Sequence, residues 1–218
     1  MAGSQTCKVI LAVGILLAGS ALASAQETGP PGAGKIEVGG FPGGGLWLTG
    51  GDDNTEVDFN AYDFGGYASW YLHPMFAIEG EADFGLGLSQ NISYQNATVY
   101  RVQMPHTLQI SGDAVFFPMG TVRRVAPYVA GGVGAMTLYS RTAASRLFGL
   151  TDDENFMATN VGGGIKIFRR GDHINWGFRI DYRILMINED SDAVPLFAQS
   201  KGRTGHRFYI GLLYSLSR

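Results

Sequence analysis

From His173 to Ile187 the even positions carry Ile174, Trp176, Phe178, Ile180, Tyr182, Ile184 and Met186 without interruption, while Asn175, Gly177, Arg179, Asp181 and Arg183 fall on odd ones. Alternate side chains of a strand project to opposite faces, so this pattern predicts a strand with one apolar and one polar wall. No helical period separates these residues so cleanly. The same alternation recurs in eight segments, approximately 35 to 48, 60 to 72, 75 to 89, 104 to 117, 125 to 139, 156 to 168, 173 to 187 and 205 to 217. The second sets Tyr62, Phe64, Ala68, Trp70 and Leu72 against Asp63, Tyr67 and Ser69. The third sets Phe76, Ile78, Ala82, Phe84, Leu86 and Leu88 against Glu79, Glu81 and Asp83, and the fourth sets Leu108, Ile110, Ala114 and Phe116 against Gln109, Ser111 and Asp113. In the first, fifth and sixth, the glycines of Gly43-Gly44-Gly45, Gly131-Gly132 and Gly162-Gly163-Gly164 blur the two faces, and Pro42 marks a bulge.

The connections alternate too. Short links at His73-Pro74, Pro118 to Arg124 and Arg169-Arg170-Gly171-Asp172 take turns with long polar ones at 49 to 59, 90 to 103, 140 to 155 and 188 to 204. An even number of alternating strands joined by short turns on one side and long loops on the other predicts an all-β, eight-stranded antiparallel up-and-down transmembrane β-barrel. Its apolar face meets hydrocarbon and its polar face lines the interior. The competing architecture is a soluble, lipocalin-like carrier, which turns the apolar face inward. That fold needs a broadly charged exterior. Here the polar face is Gly, Ser, Asn and a few clustered charges, and the opposite face has aromatics that would overfill a narrow interior.

Composition points the same way: charged residues are 16% of the chain, against about 25% in ordinary soluble domains. After residue 25 no apolar run approaches the ~20 residues of a membrane helix, which leaves the closed barrel as the structure able to satisfy its backbone in lipid. Lys8, the apolar run from Val9 to Gly19 and the small residues Ala23-Ser24-Ala25 predict a signal peptide over residues 1–25, followed by a short N-terminal linker at 26–34 and the barrel at 35–218. The one cysteine, Cys7, lies in that leader. Losing Lys8 with the leader takes the net charge from −3 to −4. No basic block suits nucleic acid, and no residue set calls for a cofactor or a metal.

The candidate chemistry sits on the polar face: Asp63, Glu79, Glu81, Asp83, Asp113, Lys166, Arg179, Asp181, Arg183 and Arg207 all point inward by alternation. Eight strands enclose a space just wide enough for their own side chains. The plain expectation is therefore a salt-bridged plug centred on Glu81, Asp83, Arg179, Asp181 and Arg183; the sharper one is a small pore gated by those pairs. Trp47, Tyr62, Trp70, Tyr71, Trp176 and Tyr214, near strand ends, suit interfacial girdles or simple cover of the lipid face. Asp52, Asp53, Asn54, Glu56 and Asp58 make the first long loop acidic but lack the spacing of a calcium-binding hand. Arg141, Arg146, Lys201 and Arg203 fall in the third and fourth loops, within reach of lipopolysaccharide phosphates or of water alone.

Tyr209-Ile210-Gly211-Leu212-Leu213-Tyr214-Ser215-Leu216 resembles the C-terminal recognition segment of bacterial outer-membrane barrels. Together with Pro127 to Gly134 and Asn160 to Ile165, it makes the chain similar to the OmpA-like and OmpX-like eight-stranded outer-membrane β-barrel family over residues 35–218. The resemblance implies a place in the outer membrane of a Gram-negative bacterium. It also implies delivery by periplasmic chaperones and insertion by the barrel assembly machinery, with Tyr209, Gly211, Tyr214 and Leu216 as the assembly signal. Leu216 replaces the usual aromatic, and Ser217-Arg218 extend beyond it. The expected partners are outer-membrane lipid, lipopolysaccharide and an unidentified extracellular ligand, met through four long extracellular loops in a structural or surface-interaction role. Some small barrels act on lipid A with a histidine and a nearby hydroxyl. Here His106 has Met104 and Leu108 on its own face and His206 has Thr204 and Phe208, so a non-catalytic protein is expected.

Overall fold

The computed structural model describes residues 32–49, 58–94, 97–121, 124–139, 153–169, 176–188 and 203–216. The leader, Asp52, Asp53, Asn54, Glu56, Arg141, Arg146, Ile174 and Lys201 lie outside the described residues. Ten strands run in chain order: β1 Ile36–Thr49, β2 Phe59–His73, β3 Phe76–Gly87, β4 Ser89–Tyr94, β5 Ala97–Gln103, β6 His106–Phe116, β7 Val125–Tyr139, β8 Glu154–Phe168, β9 Trp176–Ile187 and β10 Arg203–Leu216. Eight close into a barrel in the order β1-β10-β9-β8-β7-β6-β3-β2, every neighbouring pair antiparallel, while β4 and β5 form a separate two-stranded sheet. Closure removes the free strand edges that an open sheet would expose.

The long polar connection at 90 to 103 is built around the hairpin of β4 and β5. Gln90 pairs with Val102, Ile92 with Val99 and Ser93 with Thr98. Ile92, Thr98, Val99 and Val102 are β-branched residues suited to a strand, although Asn, Gln and Ser dilute their pattern. Pro105 then has no N–H to give, and β6 starts after it.

The burial pattern of β9 alternates along its whole length, with Phe178, Ile180, Tyr182 and Met186 exposed and Arg179, Asp181, Arg183 and Leu185 buried. Across the ladder Ile180 pairs with Ile165 on β8 and with Ile210 on β10. All three isoleucines are exposed, so they form an apolar row around the middle of the barrel's outer wall.

Inside, the polar residues lie between two apolar layers. At the end that carries the short turns, Tyr67, Tyr71, Phe117, Tyr128, Phe168 and Leu213 cluster. At the opposite rim Leu48, Phe59, Leu138, Phe156, Leu185 and Ile187 are buried. These layers keep water from the charges between them and raise what each unpaired charge costs.

Strand β1 works by small residues. A side chain at Gly39 would collide with the Tyr67 ring inside the barrel, and one at Gly43 with Tyr62 outside it. The Tyr62 hydroxyl donates to the Pro42 carbonyl at 2.7 Å, where the β1 register shifts at a bulge. Gly39→Val is therefore expected to cost about 1–3 kcal/mol, the usual effect of overpacking. A urea-unfolding midpoint equal to wild type in lipid vesicles would show instead that Tyr67 moves aside freely.

Candidate functional site

The lumen holds every sequence-predicted charge in a buried state: Asp63, Glu79, Glu81, Asp83, Asp113, Lys166, Arg179, Asp181, Arg183 and Arg207. Alternation puts them there because charge on the outer wall would face hydrocarbon. Glu37 and Arg203 join them, also buried. Neither was expected inside.

Nearest the turns, Lys166 on β8 reaches Glu37 Oε1 on β1 at 2.6 Å and Glu79 at 3.6 Å. Its ammonium is caged by the rings of Tyr67, Tyr71, Phe117 and Tyr128, with centroids 5.2 to 5.7 Å away. Such faces attract a cation more strongly once water is gone. The Tyr71 hydroxyl donates to Glu37 Oε2 at 2.9 Å. Tyr71 is thus a lumen residue and not a girdle aromatic, because it occupies an inward position of β2 with Tyr67 and Ser69. Trp47, Tyr62, Trp70 and Tyr214 are exposed on the outer wall, and Trp176 is half-buried there.

At mid-height the guanidinium of Arg179 grips Glu79 through two bonds of 2.8 Å and Asp181 Oδ2 through one of 2.7 Å. Its Nε donates to the Tyr128 hydroxyl at 2.7 Å, and that hydroxyl donates in turn to Asp181. Arg183 bonds Asp181 Oδ1 at 3.0 Å, Asn160 Oδ1 at 2.8 Å and Glu79 Oε1 at 3.2 Å, and stands 3.3 Å from Asp113 Oδ1. In barrel order, β9 is four strands from β3 in either direction. The Arg179–Glu79 pair therefore spans the full width of the lumen.

Toward the loop end, Arg207 binds Glu81 and Asp83, and the Tyr209 hydroxyl donates to Glu81 Oε2 at 2.9 Å. Here the pairing is incomplete. Asp63 presents both carboxylate oxygens without a hydrogen-bond partner, and its ion-pair contact is Arg207 Nε at 4.0 Å. Asp83 Oδ1, Thr107 Oγ1 and Gln109 Oε1 also lack partners. Gln109 pairs with Asp83 across the β3–β6 ladder, and Thr107 with Gly85.

One loop-level expectation changes. Arg203 belongs to β10, is buried, and lays its guanidinium over the Phe59 ring at 4.9 Å. It is not a loop cation for lipopolysaccharide, since its odd position shares the inward face with Arg207 and Tyr209. Asp58 keeps its place in the first loop, just before β2, and accepts a bond from Gln90 through its carbonyl. The histidines take local partners: His106 Nδ1 meets the Gly87 N–H at 3.2 Å, and His206 Nδ1 meets the Tyr182 hydroxyl at 2.7 Å. Among the described residues no group of three or more His, Cys, Asp or Glu side chains has the geometry to hold a metal.

The family model for the outer membrane protein beta-barrel domain matches residues 9–215. The chain belongs to this family. Among solved structures it is similar to Neisserial surface protein A, at 9% identity over 84% of this chain and 97% of that one, with a TM-score of 0.54. It is also similar to the N-terminal β-barrel domain of Pseudomonas aeruginosa OprF, at 13% identity over 84% and 100% of the two chains, TM-score 0.48. Identity this low speaks for the fold alone. No curated protein matches the sequence. This outer membrane β-barrel protein resides in the bacterial outer membrane, where the exposed isoleucine row faces hydrocarbon. In such barrels the short turns and both termini face the periplasm and the longer connections face outward.

Proposed function

We propose that this barrel is a closed, non-catalytic anchor whose function lies in surface interactions made by four long extracellular loops. The observation that carries this reading is the pair of arginines on β9, which cross the lumen to the carboxylates of the opposite strand β3. A path for ions along the axis would have to part bonds made in a dry interior, where a broken pair leaves an uncompensated charge. With the lumen spent on closure, the loops are left to meet a ligand and, through Arg141, Arg146 and Lys201, lipopolysaccharide. Tyr214 and Leu216 face out toward lipid while Tyr209 and Gly211 face in, an arrangement that suits recognition of β10 by the assembly machinery from its outer side.

The expected result is that wild-type protein in planar bilayers is electrically silent, whereas deletion within residues 50–57 or 140–152 abolishes surface binding and leaves heat-modifiable gel migration intact. Discrete conductance steps from wild type would reject closure and favour a small gated pore. That second reading draws on one observation, the unpaired oxygens of Asp63, Asp83, Thr107 and Gln109 toward the loop end. Expression should also leave the mass of lipid A unchanged; a shift abolished by His106→Ala or His206→Ala would make the protein an enzyme.

A further inference from the structure

A groove in the outer wall is accounted for by neither the lumen nor the loops. It is a shallow, largely open depression of about 420 Å³ near the periplasmic end of β1, β10 and β9, lined by Val38, Gly40, Trp176, Leu212 and Tyr214 among others. Its cause is local. Gly40 pairs with Leu212 on one side and with Gly66 on the other, so two adjacent outward positions have no side chain. Just beyond Gly40 the register with β10 shifts at the bulge, which bends β1 there. The far wall is held in place: Trp176 packs edge-on against Phe178, with ring centroids 5.2 Å apart.

The same tryptophan supports a cation. The guanidinium of Arg169 lies over the Trp176 ring at 5.2 Å, the Arg169 N–H donates to the Trp176 carbonyl at 3.0 Å, and the side chain is exposed. Trp176 is thus both a wall of the apolar groove and the ring over which an exposed guanidinium lies, the cation on its β8 side and the groove on its β10 side. An apolar groove with a cation on the other side of its tryptophan wall matches the apolar tail and anionic head of a lipid. The adjacent leaflet, on the side of the turns, is the phospholipid leaflet of the outer membrane.

We propose that this groove is a binding site for one anionic phospholipid of the periplasmic leaflet, with an acyl chain laid along Gly40 between Leu212, Tyr214 and Trp176 and the phosphate held by Arg169. The inference rests on the outer-membrane placement but not on the role given to the loops. The planar guanidinium, held over an indole, can offer its edge to a phosphate in paired hydrogen bonds. The groove lies in the volume range of small-molecule sites, about 300–1,000 Å³.

The test uses the folded chain in phosphatidylcholine bilayers with a minor fraction of phosphatidylglycerol, followed by gentle detergent extraction and native mass spectrometry. Wild type is expected to retain one phosphatidylglycerol out of proportion to its abundance. Arg169→Gln should lower that headgroup preference about fivefold, the effect of one cation at a membrane surface, while keeping a bound lipid of either kind. Gly40→Val fills the groove. A Cβ at Gly40 meets only the Gly65 carbonyl, at an ordinary 3.6 Å, so this variant should fold normally and lose the lipid. Retention by wild type in proportion to bilayer composition, or undiminished retention by Gly40→Val, overturns the proposal. A dimer abolished by Gly40→Val would overturn it in favour of a second copy in the groove. Failure of the outer-membrane placement would look different, as a wild-type chain without heat-modifiable migration.

Discussion

Arg179→Ala is expected to destabilise the inserted barrel by about 3–5 kcal/mol, the usual cost of removing one partner of a buried ion pair. The local geometry favours the lower part of that range. Glu79 would keep Arg183 at 3.2 Å, Lys166 at 3.6 Å and the Ser69 hydroxyl at 2.6 Å. Asp181 would keep Arg183 at 3.0 Å. What vanishes is the one guanidinium that touches Glu79, Asp181 and Tyr128 together, along with its place against the Tyr67 ring at 4.2 Å. The measurement is the urea-unfolding midpoint in lipid vesicles. Arg179→Lys keeps a point charge but cannot hold Glu79 through two parallel bonds, so it should fall between wild type and alanine. The same variants belong in planar bilayers, because a lumen closed by this pair should conduct when it is removed. Unchanged stability together with electrical silence would dismiss Arg179 as a strut and the network as the seal.

Ile180→Arg should cost about 2–4 kcal/mol, the penalty for a cation near the bilayer midplane on a barrel's outer wall. Ile180 is 38% exposed and flanked in register by Ile165 and Ile210. An arginine there has no carboxylate beside it on the neighbouring strands and must snorkel along an apolar row to reach water. In a water-soluble barrel the same substitution at an exposed site would be nearly neutral, so the sign and size of the effect discriminate between the two environments. A drop in heat-modifiable protein and in unfolding midpoint is expected; equal stability of the variant in vesicles would take Ile180 out of the hydrocarbon zone.

Legibility differed from strand to strand for physical reasons. On β3, β9 and β10, large apolar groups alternate with charges, so a period of two reveals both faces at once. On β1 the glycines of Gly39-Gly40 and Gly43-Gly44-Gly45 belong to neither face by chemistry, so the inward place of Glu37 shows only in its position between Ile36 and Val38. Counting by twos from those residues would have sent Glu37 inward. The turn chemistry gave the connections, but polar composition disguised the β4–β5 hairpin and made Arg203 look like a loop residue. Tyr71 lies near a strand end, as a girdle aromatic would, but its position in the β2 alternation points it inward.

Alternation by itself determined which way each side chain points, because successive residues of a strand must face opposite sides and only one side can meet lipid. It also determined that the charges would be enclosed together. Which charge meets which was decided only by closure of the barrel. Arg179 and Glu79 are 100 residues apart in the chain, and their contact depends on the stagger of the strands and on β3 standing opposite β9. Asp63, by contrast, ends beside a guanidinium already taken by Glu81 and Asp83. A sequence specifies the inward set residue by residue, but pairing within that set is a property of the distances across the closed ring.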